Sequence, residues 1–119
     1  MPFISTKNIK LYYESAGHGE AVLYISGTGG DLRKSPSVFD NDLKNNFHLI
    51  SYDQRGLGQS EIPDGPYTMK NYADDAFNFL RKLGFERVNI IGVSFGGMVA
   101  QHLAINYPDV VKKLVLMCT

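Results

Sequence analysis

In the stretch "NIKLYYE", Ile9, Leu11 and Tyr13 occupy alternate positions, with polar or aromatic residues between them. That period of two predicts a strand with one buried face. The first twenty residues therefore read as a hairpin, and Gly17-His18-Gly19 as a turn. Four later runs are short and mostly apolar: "AVLYIS" (21–26), "FHLISYD" (47–53), "RVNIIGVS" (87–94) and "VKKLVLMCT" (111–119). Each is too short for a helix and rich in residues that favour strands, which predicts strands buried on both faces.

Between these runs the period lengthens. Tyr72, Ala76, Phe79, Leu80 and Leu83 fall on one side of a helix, with Thr68 placed to cap its start and Gly84 to end it. A second helix opens at Phe95 and must stop before Pro108, because a residue preceding proline is pushed out of the α region. Residues 35–44 are expected to form a third. Alternating short strands and helices imply an α/β fold: an antiparallel hairpin, then a mostly parallel sheet with helices on both faces.

Composition narrows the function. A chain of 119 residues, 44% hydrophobic and 20% charged, suits at most one globular domain. Twelve basic residues balance twelve acidic ones, which argues against a nucleic-acid or membrane-surface partner bound by bulk charge. Cys118 is the single cysteine, so no internal disulfide forms and a reducing compartment is expected. The start, Met1 to Ser5, lacks the pattern of a signal peptide, and a cytoplasmic location follows as the expectation.

Three glycine clusters invite a dinucleotide reading, which needs glycines at relative positions one, three and six. "GTGGDL" has Leu32 at the sixth position, "GLGQSE" has Glu61 there, and "GVSFGG" has Ser94 at the third. None fits, and no cofactor or metal site is expected. Gly92-Val93-Ser94-Phe95-Gly96 instead fits G-x-S-x-G, after a strand and at the start of a helix. A sharp strand-to-helix turn crowds the positions two before and two after the serine, so glycine suits both. The turn lifts the hydroxyl above the carboxyl edge of the sheet and leaves the Phe95 N–H free at a helix N-terminus, where negative charge is stabilised. The plainer alternative is a tight turn with no chemistry.

With that motif, the chain resembles the N-terminal half of the α/β-hydrolase family. The likeness rests on "YYESAGHGEAVLYISG", "SGTGGD", "YDQRGLGQS" and "GVSFGG" followed by "MVAQHLAINYPDVVKKLVL". "GTGGDLR" also resembles the corresponding loop of 3-oxoadipate enol-lactonases. The resemblance implies that Ser94 is the nucleophile and that the N–H groups of Phe95 and Thr28 form the oxyanion hole, with Gly92 and Gly96 shaping the elbow. It implies that Asp53, Arg55 and Gly58 organise a loop. Ser26 stands where the family often has histidine.

A serine hydroxyl needs a base, usually a histidine oriented by a carboxylate. His18 and His48 precede the first two buried strands, at the opposite end of the sheet from Ser94. His102 lies eight residues beyond Ser94, about 12 Å along a helix. Asp53 ends a strand that the family's order separates from the serine's strand by one other, roughly 10 Å of sheet. Asp74 and Asp75 are expected to favour a helix dipole. In the family the acid and histidine come after the strand that begins at Val111. The 119 residues therefore read as the N-terminal portion of one hydrolase domain, without cap, acid or histidine, and inactive alone. The final strand is expected to be an unpaired, apolar edge that promotes oligomers. The parent is expected to hydrolyse a small-molecule ester or lactone through an acyl-enzyme. The alternatives are a non-catalytic ligand-binding member, or one with C–C hydrolase or cofactor-free peroxidase chemistry.

Overall fold

A computed structural model describes residues 3–119, so Met1 and Pro2 lie outside the described residues. Six strands form one sheet: β1 (Phe3–Ser5), β2 (Lys10–Ala16), β3 (Ala21–Ile25), β4 (His48–Tyr52), β5 (Val88–Val93) and β6 (Val111–Met117). Their spatial order is β1-β2-β4-β3-β5-β6. The β1–β2 and β2–β4 pairs are antiparallel, and β3–β4, β3–β5 and β5–β6 are parallel. The opening hairpin is present, formed by β1 and β2. Gly17-His18-Gly19 does not close it; that segment leads from β2 to β3, two positions across the sheet.

Two α-helices, α1 (Met69–Lys82) and α2 (Phe95–Asn106), lie on one face of the sheet. Their apolar stripes, including Ala76, Phe79, Leu80, Val99 and Leu103, close on Leu23, Ile25, Ile50, Tyr52 and Ile90. Thr68 caps α1 as the sequence implied, accepting the Asn71 N–H at 3.1 Å while Asn71 accepts the Thr68 N–H at 2.9 Å.

The opposite face is covered more thinly. Val38, Phe39, Leu43 and Phe47 pack there on Val22, Tyr24, Leu49 and Ile91. The helix expected over 35–44 is instead two 3-10 turns, Val38–Asp40 and Asp42–Asn45. Ser37 caps the first and Asn41 the second, each accepting a backbone N–H. Two N-caps four residues apart start helical turns in succession and leave neither room to continue.

Strand β6 pairs with β5 alone among the described residues, and Val115, Leu116 and Met117 are 48%, 41% and 47% exposed. An apolar edge of this kind invites strand addition. Leu116→Lys is therefore expected to raise the monomer fraction of the 119-residue chain, as measured by light scattering across a concentration series. No change in association would remove β6 as its cause. Among the described residues no helix is long and apolar enough to cross a membrane.

Candidate active site

The parallel strands β3, β4 and β5 bring their carboxyl ends to one edge of the sheet. At that edge β5 turns sharply into α2 through Ser94, whose φ is 54° and ψ is −118°. Apart from Cys118, Ser94 is the only non-glycine residue with positive φ among those described. Such a conformation costs of the order of 1–3 kcal/mol and persists only where the surroundings impose it. Here they do. The Ser94 N–H donates to the Met117 carbonyl at 2.8 Å, and the Ser94 carbonyl accepts from Gly97 N–H at 2.9 Å. The side chain makes no capping hydrogen bond and is exposed.

The turn is tight because glycines line it. A Cβ on Gly92 would stand 2.6 Å from the Gly96 carbonyl oxygen and 2.8 Å from the Gly97 Cα. For Gly96 the obstruction lies elsewhere than expected: the backbone carbonyls of Ile25 and Ser26, at the end of β3. The loop after β3 reaches the serine, since a Cβ on Gly27 would lie 3.3 Å from the Ser94 Cβ. Thr28 follows, exposed. Among the described residues the N–H groups of Thr28 and Phe95 donate no hydrogen bond. The Phe95 ring stands edge-on to Tyr72 of α1, with centroids 5.0 Å apart, which fixes the first turn of α2.

Asp53 is buried and does organise loops. Its Oδ1 accepts the Leu32 N–H at 2.8 Å, at the far end of the glycine-rich loop. Its Oδ2 accepts the Gln59 N–H at 2.9 Å. Burial pushes its carboxyl upward from the ordinary aspartate range, and these two bonds pull it back. Asp53→Ala leaves both N–H groups without an acceptor and is expected to cost about 2 kcal/mol. Urea unfolding checks this, and an unchanged midpoint would show that the loops hold without Asp53.

Asp75 departs from the sequence reading. It does not serve a helix dipole but is buried, holding Arg55 through two bonds of 2.7 and 2.8 Å. Burial drives its carboxyl upward and the guanidinium offsets part of that. Asp74 takes the Tyr107 hydroxyl and the Lys70 ammonium. Gln54, unremarked in the sequence, is fully buried and donates from Nε2 to the Ser26 carbonyl at 2.8 Å.

The histidines stay away from Ser94. His48 pairs in register with Ala21 at the amino ends of β4 and β3, and lies near the Phe85 ring. His18 precedes β3, and His102 is in the second half of α2. Strand β3 separates the strand leading to Asp53 from β5. A cleft of about 270 Å³ opens beside the glycine-rich loop, with Tyr24, Ser26, Thr28, Asp31, Lys34 and Ser37 in its wall; Ser94 does not line it. Among the described residues no cluster of three His, Cys, Asp or Glu could hold a metal ion.

A family model described as "alpha/beta hydrolase fold" matches residues 20–119. The chain belongs to the α/β-hydrolase family. It is 32% identical over 112 residues to BpoC of Mycobacterium tuberculosis, which bears the name of a non-heme bromoperoxidase; the match covers 93% of this chain and 42% of that protein. The enol-lactonase of Burkholderia xenovorans LB400 superposes with a TM-score of 0.85 at 29% identity, covering 95% of this chain and 45% of that one. The meta-cleavage product hydrolase of Pseudomonas fluorescens IP01 superposes with a TM-score of 0.83 at 26% identity, covering 97% and 43%. This chain thus spans less than half the length of each of these relatives, which include hydrolases.

Proposed function

We propose that the chain supplies the nucleophile and oxyanion half of a serine hydrolase acting on a carboxylic ester or lactone. The strained, exposed Ser94 at a strand-to-helix turn carries this reading, because a merely structural turn has no need of a serine at positive φ. In the proposed reaction the Ser94 Oγ bonds to the substrate carbonyl carbon and gives its proton to a base. The resulting oxyanion takes hydrogen bonds from Phe95 and Thr28. Collapse expels the alkoxide, which receives that proton, and water then cleaves the acyl-enzyme. On this reading the base and its carboxylate come from chain beyond the span matched here, since none of the three histidines reaches Ser94. The lactone class draws support from the enol-lactonase likeness and the loop "GTGGDLR".

A second reading keeps the same serine and changes the bond. The likeness to a meta-cleavage product hydrolase favours C–C cleavage, and the name of BpoC favours peroxidase chemistry. A fluorophosphonate probe applied to the longer protein is expected to label Ser94, and a panel of esters, lactones and C–C substrates then separates the chemistries. Absence of label at Ser94 would sink the hydrolase reading and leave a ligand-binding member.

A further inference from the structure

The oxyanion loop is held by two hydrogen bonds that fix successive peptide planes. Gln54 Nε2 donates to the Ser26 carbonyl at 2.8 Å, which orients the Ser26–Gly27 peptide. The Gly30 N–H donates to the Gly27 carbonyl at 3.1 Å, which orients the Gly27–Thr28 peptide. Gly29, at φ 76°, occupies the third position of that turn, as a type II turn requires. In a trans peptide the N–H points opposite to the carbonyl. The Thr28 N–H is therefore aimed by the bond to the Gly27 carbonyl. The turn itself is seated by the plane before it, the one that Gln54 holds. Glycine at position 27 has no side chain to resist rotation between the two planes. Gln54 is 1% exposed and lies next in sequence to Asp53, whose Oδ1 grips Leu32 at the other end of the loop.

We infer that Gln54 is a positioning residue of the oxyanion hole. It does not touch substrate; it keeps the Ser26–Gly27 peptide from rotating, so that the Thr28 N–H stays turned toward the oxyanion. This rests on the hydrolase reading of Ser94. A buried side chain that only fills space would affect stability and leave transition-state binding alone. A side chain that sets the hole would lower kcat with little change in KM, since the oxyanion exists only after attack.

The test compares Gln54→Met, of similar size without the donor, with Gln54→Glu, which places an acceptor against the Ser26 carbonyl. Both are made in the longer protein beside Ser94→Ala. The expected result for Gln54→Met is a fall in kcat of roughly 10- to 100-fold with KM within about 2-fold of the parent. Inhibition by an alkyl boronic acid, which forms a tetrahedral adduct, should weaken in parallel. Gln54→Glu should recover activity relative to the parent as the pH falls, because a protonated carboxyl can again donate. Parental kcat and boronate affinity in Gln54→Met would overturn the proposal, and so would unfolding of both variants, which would make Gln54 a structural residue. Turnover surviving in Ser94→Ala would instead bring down the hydrolase reading. A dead Ser94→Ala beside a fully active Gln54→Met would defeat this inference alone.

Discussion

Under the proposed hydrolase chemistry, replacing Ser94 by alanine in a protein of the relatives' length is expected to lower kcat by about 10⁴- to 10⁶-fold, with the fold intact. The size follows from the chemistry. Without Oγ no acyl-enzyme forms, and only the oxyanion donors and substrate binding remain, worth about 10³ over water. The substitution deletes one exposed hydroxyl with no capping bond, so it removes no contact that supports the fold. The backbone strain remains, because alanine dislikes φ 54° as much as serine does. Ser94→Gly separates the two roles. It should be equally inactive, yet more stable by about 1 kcal/mol, since glycine occupies positive φ without the Cβ penalty. Inactivity coupled to higher stability is the mark of a residue kept for function. The measurements are ester turnover and urea midpoints of the three proteins. If Ser94→Gly proves less stable than the parent, the turn is not strained and the central observation loses its force.

Much of the architecture was legible because it is written locally. The runs around Val22, Leu49, Ile90 and Leu114 are short, apolar and bounded by turn residues, and each became a parallel strand. Gly92 and Gly96 marked the elbow through spacing alone. The helix expected over 35–44 does not form because the Ser37 and Asn41 side chains each take a backbone N–H and start separate short turns. Both α-helices lie on one face, and the opposite face carries only the two 3-10 turns rather than the helix expected there. The turn at Gly17 could not reveal its destination, since strand order depends on contacts between distant segments.

The supports of the site were harder to see for the same reason. Gln54 and Ser26 are 28 positions apart, and Asp53 and Leu32 are 21 apart. No pattern within either segment announces such a pair. Asp75 did carry a signal. It shares the face of α1 that holds Tyr72, Ala76 and Phe79, and a carboxylate on an apolar stripe needs a buried partner. Arg55, in the loop that the family resemblance singled out, is that partner. Reading Asp75 as a dipole residue weighed its position along the helix and overlooked its position around it.

Gly96→Val is expected to destabilise the protein by more than about 3 kcal/mol, with a fall in Tm above roughly 10 °C. The reason is collision, since Gly96 is not among the glycines with positive φ. Its Cβ would stand 2.5 Å from the Ser26 carbonyl oxygen and press on that of Ile25. These are backbone atoms of a strand flanked on both sides: Tyr24 pairs with Ser51 of β4, and Ile25 with Gly92 of β5. Strand β3 cannot retreat without breaking two ladders, so α2 must move instead. That motion opens the contacts between Gly92 and Gly97, and it carries Ser94 and the Phe95 N–H away from the loop at Gly27. Stability and activity should therefore fall together. Gly84 supplies the control. It lies at φ 92° with nothing within 4 Å of an added Cβ, so Gly84→Ala pays only the left-handed backbone penalty, about 1 kcal/mol. Denaturant unfolding of both variants decides the matter. Should Gly96→Val cost no more than Gly84→Ala and keep its turnover, the close packing of α2 on β3 would be wrong, and with it the account of how the elbow is held.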